Sequence, residues 1–247
     1  MKKRVKSHVP NAITCCNLFS GCVGIVFAVQ GDLIKGAYAI FLAAIFDFFD
    51  GFAARVLQSF SGIGKELDSL ADVVSFGVLP SAILYQLFLE GPQIPNVSQF
   101  LNFSAFLIAV FSMLRLAKFN TDTRQAEIFI GLPTPANSIL IASFPLIIEQ
   151  HPDFAKWILN PYVLTLFVIV MCALLVAELP LISLKFKNTD FNKNIYRYLL
   201  LLFSAILILF FKFAAVPVII FLYVALSIVQ FKISKDEMPG MQKNVKS

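Results

Sequence analysis

The chain alternates long apolar segments with short breaks that contain Gly, Pro or charged residues. A helix that crosses a bilayer needs about 20 mostly apolar residues. By that measure the pattern predicts eight transmembrane helices, at residues 11–30, 33–57, 65–89, 98–117, 135–150, 159–177, 195–211 and 215–231. The sequence therefore predicts an all-α fold, a polytopic bundle of transmembrane helices in which the fifth helix is the shortest.

The composition supports the same class. Hydrophobic residues make up 58% of the chain and charged residues 14%, whereas a soluble domain has roughly a quarter charged residues. Mean hydropathy is +0.80, so a water-soluble fold of this length is excluded. The cysteines lie in apolar stretches without disulfide or metal-ligand spacing. We expect them to be small buried side chains: Cys15, Cys16, Cys22 and Cys172.

Basic residues are distributed unevenly over the breaks. If the N-terminus is cytoplasmic and eight helices alternate in direction, 17 of the 20 Lys and Arg residues fall on the cytoplasmic side. The exceptions are Lys35, Lys156 and Lys212. The pattern predicts that both termini are cytoplasmic and that the first apolar run is a retained helix rather than a signal peptide. It also explains the net charge of +5 without a nucleic-acid partner.

Four aspartates lie at the adjoining ends of the second and third predicted helices, among apolar residues. Asp47 and Asp50 are three residues apart, and Asp68 and Asp72 are four apart, so each pair lies on one helix face. The short link between the helices makes them antiparallel, which lets the pairs face each other. Because a carboxylate at membrane depth costs a few kcal/mol or more, we interpret the cluster as a functional site.

Converging carboxylates repel each other unless a cation neutralises them. Oxygen ligands favour a hard ion, so we expect one or two divalent cations, Mg²⁺ or Mn²⁺. Such ions typically act on phosphate groups. The charge distribution places this site at the cytoplasmic face.

Three residues next to the cluster each allow two interpretations. Gly51 and Ala54 leave room for a ligand beside the helix, or they are small residues at a helix contact. Arg55 offers a planar fork for a phosphate group, or it is a topological charge at the membrane surface.

The spacing of these residues resembles the signature of the CDP-alcohol phosphotransferase family. It reads Asp47-x-x-Asp50-Gly51-x-x-Ala54-Arg55, eight residues, then Gly64-x-x-x-Asp68-x-x-x-Asp72, with every signature position and gap met. The segment Pro10 to Thr14, followed by Asn17, is similar to the family's entry segment before its first helix.

Three further segments resemble the phosphatidylserine synthase branch of that family. They are Ser69 to Gly77, Arg115 to Asn120 and Gly131 to Asn137. Lys118 departs from the branch, which more often has Arg there. The branch implies a single membrane domain with a basic cytoplasmic flank (1–10), a six-helix catalytic core (11–177), two extra helices (195–231) and a cytoplasmic tail (232–247).

The resemblance implies roles for individual residues. Asp47, Asp50 and Asp68 would hold one metal ion; Asp47, Asp68 and Asp72 would hold a second; and Asp72 would also be the general base. The residues implied at the CDP-diacylglycerol site are Gly51, Ala54, Arg55, Asn11, Thr14 and Ser61.

The resemblance also implies an activity, transfer of the phosphatidyl group from CDP-diacylglycerol to the hydroxyl of L-serine by a homodimer in a bacterial inner membrane. Candidates for the serine carboxylate or a lipid phosphate are Arg115, Lys118 and Asn120, with Arg124 and Asn137 less favoured. The same chemistry with glycerol 3-phosphate or an inositol compound remains open. A cation transporter is the alternative of another class, although transporter sites favour the midplane and broken helices.

Overall fold

The computed structural model describes residues 2–59, 61–94, 98–122, 129–182 and 194–237. Within these ranges the chain is a bundle of helices with one short pair of strands. The helices are α1 (Lys2–Val29), α2 (Leu33–Val56), α3 (Gly62–Val73), α4 (Leu79–Glu90), α5 (Ser98–Phe103), α6 (Leu107–Thr121), α7 (Thr134–Gln150), α8 (Ala155–Ile158), α9 (Pro161–Val176), α10 (Ile195–Phe211) and α11 (Ala215–Glu237). The strands are β1 (Phe129–Ile130) and β2 (Pro180–Leu181).

The turn between α1 and α2 is built from a glycine and a helix cap. Gly31 has a φ of +84°, a conformation that favours glycine. Asp32 caps α2 by accepting hydrogen bonds from the backbone N–H of Lys35 (3.0 Å) and from its Nζ (2.6 Å). These hydrogen bonds lower the pKa of Asp32. The turn brings α1 and α2 together as an antiparallel hairpin.

The helices around α1 approach closely because small residues line their contacts. A Cβ atom at Gly24 would lie 2.6 Å from Leu79 Cδ2 and 2.7 Å from Ala39 Cβ. Gly21 contacts the backbone of Ser75 equally closely, since a Cβ atom at Gly21 would lie 2.9 Å from the Ser75 Cα. These contacts fix α1 against both α2 and the start of α4.

The stretch Gly62–Glu90 is the central element of the bundle. In its apolar segment 67% of the residues are buried, compared with 6% in that of Ile195–Phe231. Between α3 and α4 it contains a π-helical turn, Val74–Val78. A π-turn disrupts the usual helical hydrogen bonds. The backbone oxygen of Phe76 instead accepts hydrogen bonds from Ser138 (2.8 Å) and Ser112 (3.5 Å), which joins the turn to α7 and α6.

The last two helices form an antiparallel hairpin. The chain turns at Lys212, whose φ is +48°, and Phe213 then packs against Tyr38 and Phe41 of α2. Ser227 on α11 accepts a hydrogen bond from the backbone N–H of Ile182, a residue that precedes α10. Few residues of this hairpin are buried in the protein, as expected of helices whose apolar surface contacts lipid.

Each of the eight predicted helices has a helical counterpart in the structure, which confirms an all-α, polytopic membrane architecture. Among the described residues, five helices are long and apolar enough to cross a membrane, or six if a pair bent by 70° counts as one span. That pair combines Pro152–Ile158 with Pro161–Val176. The fifth predicted span, α7, is not among these candidates. The stretch Ile195–Phe231 counts as one candidate by length and composition, although the chain breaks at Lys212 into α10 and α11, as predicted.

Several predicted boundaries are wrong. The N-terminal flank is already helical from Lys2, α6 continues to Thr121 beyond the predicted end at residue 117, and α11 continues to Glu237 into the predicted tail. The strand pair was not predicted, because two residues are too few to show an alternating pattern. The prediction of buried cysteines is wrong for Cys15, Cys16 and Cys22, which are exposed, and is confirmed for Cys172, which is buried.

The contacts of Gly24 predict that Gly24→Ala destabilises the fold. Its methyl group would overlap Ala39 Cβ, which has no freedom to move aside, and such overpacking costs about 1–3 kcal/mol. We expect a lower thermal midpoint in detergent, followed by the fluorescence of Trp157, the single tryptophan. Gly62→Ala is the control, since a Cβ there has no neighbour within 4 Å. Equal midpoints for the two variants would contradict the packing argument.

Candidate active site

Three of the four predicted aspartates converge where α2 ends and α3 begins. Asp47, Asp50 and Asp68 each offer a carboxylate oxygen, and these oxygens lie within 4.8 Å of one another. Asp50 is buried, and the other two are half-buried. The predicted facing of the two helix ends is therefore confirmed for these residues, and together they can hold a metal ion.

Two features of the structure fit a cation at this position. Asp68 Oδ1 is buried without a hydrogen-bond partner among the described residues. Carboxylate oxygens of Asp47 and Asp68 also lie within 4.8 Å of each other, where like charges in an apolar setting repel. A divalent cation would satisfy the unpaired oxygen and remove the repulsion, and a hard ion suits an all-oxygen donor set.

Helix α1 supports two of the aspartates through polar side chains. Thr14 Oγ1 donates to Asp50 Oδ2 at 2.6 Å. Asn17 Nδ2 donates to Asp72 Oδ1 at 3.3 Å. Thr14 and Asn17 are three residues apart and lie on the same face of the helix. That spacing was the available signal for the role of Asn17, to which the sequence analysis assigned none.

Asp72 lies apart from the three-carboxylate group and is only 7% exposed. It interacts electrostatically with Asp47 and Asp68. Its partner Asn17 is held in turn, because the Ser75 hydroxyl donates to the Asn17 backbone oxygen at 3.0 Å. Asp72 is thus a buried acceptor, fixed in orientation and adjacent to the other carboxylates.

A cavity of about 460 Å³ opens beside the aspartates. Five residues expected at the CDP-diacylglycerol site line it, together with residues that the sequence analysis did not single out, Lys65 and Ser59 among them. The full lining is Pro10, Asn11, Thr14, Asp50, Gly51, Ala54, Ser59, Ser61, Gly62, Gly64, Lys65 and Asp68. Arg55 is exposed at the end of α2 and is not part of this lining.

The cavity wall explains two of the glycines. At Gly51 a Cβ atom would have no neighbour within 4 Å, so the backbone of α2 is open to the cavity there rather than packed against another helix. At Gly64 a Cβ would lie 3.0 Å from Ser61 Oγ and 3.2 Å from Asn11 Oδ1. Ser61 also caps α3, because its hydroxyl accepts from the Gly64 N–H at 3.1 Å.

A second cavity, of about 250 Å³, lies between the ends of α6 and α9 and includes Arg115 and Lys118. Arg115 is buried, donates from Nη1 to Thr134 Oγ1 at 3.3 Å and lies over the ring of Phe119. It is close enough to Asp72 for the two charges to interact. The structure therefore brings Arg115 toward the aspartates, while Lys118 is exposed at the cavity edge.

The remaining predicted residues are placed differently. Asn120 does not line either cavity; its side chain donates to Ser69 Oγ at 2.7 Å and its backbone oxygen accepts from Lys65. Asn137 is fully buried, and its polar side-chain atoms have no hydrogen-bond partner among the described residues. Arg124 lies outside the described residues.

The geometry agrees with comparisons to known proteins. The sequence model of the CDP-alcohol phosphatidyltransferase family matches residues 7–178. A CDP-diacylglycerol–serine O-phosphatidyltransferase from Bacillus subtilis is 36% identical over 129 residues, 52% of this chain and 70% of the relative. A protein of the same name from Helicobacter pylori is 29% identical over 201 residues, 81% of each chain.

A third relative has a different printed name. An archaetidylserine synthase from Methanothermobacter thermautotrophicus is 33% identical over 149 residues, 58% of this chain and 61% of the relative. Residues 7–178, which match the family's sequence model, include the two helices that present the aspartates and nearly all of α1, the helix that supports those aspartates. The chain belongs to the CDP-alcohol phosphatidyltransferase family.

Proposed function

We propose that this protein transfers the phosphatidyl group of CDP-diacylglycerol to the hydroxyl of L-serine, giving phosphatidylserine and CMP. The convergence of three carboxylates at the edge of a nucleotide-sized cavity is the observation that supports this most directly. Serine as the acceptor is supported by the relatives that are named for that substrate.

The larger cavity is the proposed site of the CDP group. Gly51 and Ala54 give the diphosphate access to the backbone of α2, and Asn11, Thr14 and Ser61 supply polar groups around it. Capping of α3 uses an acceptor lone pair of Ser61, so its hydroxyl proton remains available to the ligand. Arg55 lies next to Ala54 and would reach the diphosphate from outside the cavity lining.

The aspartates are the proposed ligands of the divalent ions, Mg²⁺ or Mn²⁺. Asp47, Asp50 and Asp68 would hold the first ion, and Asp47, Asp68 and Asp72 the second. When bound, such ions polarise the phosphoryl group and stabilise the charge that develops on the leaving group. The side chain of Thr14 keeps Asp50 in the orientation that this requires.

Asp72 is the proposed general base. Its carboxylate accepts the proton of the serine hydroxyl while the serine oxygen forms a bond to the lipid-side phosphorus. The bond from that phosphorus to the CMP oxygen breaks, and CMP leaves with the bonding electron pair. Asn17 donates to Asp72 Oδ1, which leaves the second carboxylate oxygen to take the proton.

The proposed setting is the cytoplasmic face of a bacterial inner membrane. Lys35, Lys156 and Lys212 lie near the α1–α2, α7–α9 and α10–α11 connections. The proposal assigns these connections to the opposite face because they carry so few basic residues. A homodimer, a catalytic core at 11–177 and an additional pair of helices at 195–231 belong to the same proposal.

The choice of acceptor is tested by following CMP release. Purified protein with CDP-diacylglycerol and Mg²⁺ or Mn²⁺ is offered L-serine, glycerol 3-phosphate and myo-inositol separately, and we expect release with serine. CMP release with inositol or glycerol 3-phosphate but not serine would refute the serine assignment alone. If no acceptor gives CMP, the transferase function itself is wrong.

The role of Asp72 is tested by Asp72→Asn, which keeps the size of the side chain and an acceptor for Asn17. Loss of a general base should lower kcat by about 10²–10⁴-fold. Asp153→Asn, at an exposed acidic residue in a turn outside both cavities, is the matched control and should keep its activity. Turnover of Asp72→Asn near the native level would exclude Asp72 as the base.

The metal site is tested by chelation and by direct binding. EDTA should abolish CMP release, and Mg²⁺ or Mn²⁺ should restore it. Asp68→Asn should weaken Mn²⁺ binding, measured by electron paramagnetic resonance, because Asp68 Oδ1 has no other partner among the described residues. Equal Mn²⁺ affinity in Asp68→Asn and Asp153→Asn would show that the ion binds elsewhere.

A further inference from the structure

The second cavity contains charges of both signs. Arg115 and Lys118 come from α6, Asp122 follows the end of that helix, and Glu178 follows the end of α9. Lys118 and Glu178 are exposed, whereas Arg115 is buried. The cavity therefore opens to water at a charged rim and has a guanidinium group in its interior.

The interior cation is incompletely satisfied. Arg115 is 7% exposed, and its Nη1 donates to Thr134. Its Nε is buried without a hydrogen-bond partner among the described residues. A buried donor without a partner costs free energy unless a ligand supplies an acceptor. A carboxylate matches the planar fork of a guanidinium group.

The part of the cavity at the ends of the two helices suits a cation. The carboxylates of Asp122 and Glu178 lie beside the C-terminal ends of α6 and α9. The last carbonyls of a helix lack partners within the helix, and the helix dipole makes that end negative. Backbone oxygens and carboxylates of this kind are acceptors for an ammonium group.

The size of the cavity limits the ligand. About 250 Å³ is room for roughly eight waters at about 30 Å³ each, which is too little for a nucleotide or a lipid. A small amino acid fits, together with a few waters. Since such an acceptor is soluble, its site must also open to water, as this cavity does.

Resting on the proposed function, we infer that this cavity is the subsite that recognises the acceptor as a zwitterion. Arg115 and Lys118 bind its carboxylate, and Glu178, with Asp122, binds its ammonium group. Glycerol 3-phosphate and inositol have no ammonium group, so Glu178 is a specificity-determining residue for an amino-acid acceptor.

The subsite is linked to the aspartates through α6. Arg115 interacts with Asp72. Farther along α6, Asn120 is hydrogen-bonded to both Ser69 and Lys65 of α3, the helix that presents Asp68 and Asp72. An acceptor held by Arg115 is thereby placed beside the helix that presents the base.

The wall of the subsite is held by α11. Ile130 lines the cavity and is the residue opposite Pro180 in the strand pair. Next to that pair, the Tyr223 hydroxyl donates to the Ile182 backbone oxygen at 3.0 Å, and the Ile182 N–H donates to Ser227 Oγ at 3.1 Å. The C-terminal hairpin thus fixes the strands that close the cavity, although it lies outside the region matched by the family's sequence model.

The experiment compares two variants of the full-length enzyme with three ligands. The ligands are serine, ethanolamine as an inhibitor without a carboxylate, and glycerate as an inhibitor without an ammonium group. Glu178→Gln should raise the KM for serine by about tenfold and weaken inhibition by ethanolamine equally, since a neutral amide oxygen attracts the ammonium group less than a carboxylate does. Its inhibition by glycerate should be unchanged. Lys118→Gln should show the reverse pattern: inhibition by glycerate should weaken, and inhibition by ethanolamine should be unchanged.

Glu149→Gln is the matched control, because Glu149 is exposed near the far end of α7, and all its constants should be unchanged. An unaltered KM for CDP-diacylglycerol in every variant shows that the fold is intact. Suppose that the wild type uses serine. The inference is then overturned if both variants have the wild-type KM for serine, or if each variant weakens the binding of all three ligands alike. If the wild type does not use serine, the proposed function is overturned instead.

Discussion

Mutual repulsion among the aspartates is the constraint on which the rest of this structure depends. Carboxylates in an apolar setting repel more strongly than in water, and each loses hydration. The protein supports them from α1, where Thr14 and Asn17 donate to Asp50 and Asp72. Those hydrogen bonds require α1 to approach both α2 and α3 closely. Gly21 and Gly24 allow α1 that approach, since they contact Ser75 just beyond α3 and Ala39 of α2. The close packing of the bundle therefore serves the arrangement of charge.

The sequence predicted the parts of the site that depend on helical periodicity. Spacings of three and four residues put each aspartate pair on one face, and the short link brought the faces together. The side chains of Asp47, Asp50 and Asp68 meet as that argument requires. The lining of the larger cavity by Gly51 and Ala54 favours ligand access over helix packing, which the sequence alone left undecided.

What the sequence could not predict depends on contacts between distant segments. The second cavity combines residues from α6, β1 and α9, whose proximity no local pattern reveals. The link from Ser227 to Ile182 spans 45 residues. The break between α10 and α11, by contrast, was predicted, because Lys212 interrupts the apolar stretch between residues 195 and 231.

The π-helical turn at Val74–Val78 has a consequence for rotation about the helix axis. One additional residue in a turn rotates everything beyond it by about 100° relative to a regular helix. The side of α3 that presents Asp68 and Asp72 is therefore not aligned with the side of α4 that a regular helix would place below it. The same polypeptide points carboxylates toward α1 and α2 at one end, and presents an almost fully buried apolar surface at the other. A single helix can thus serve as both the wall of a polar site and the axis of the hydrophobic core.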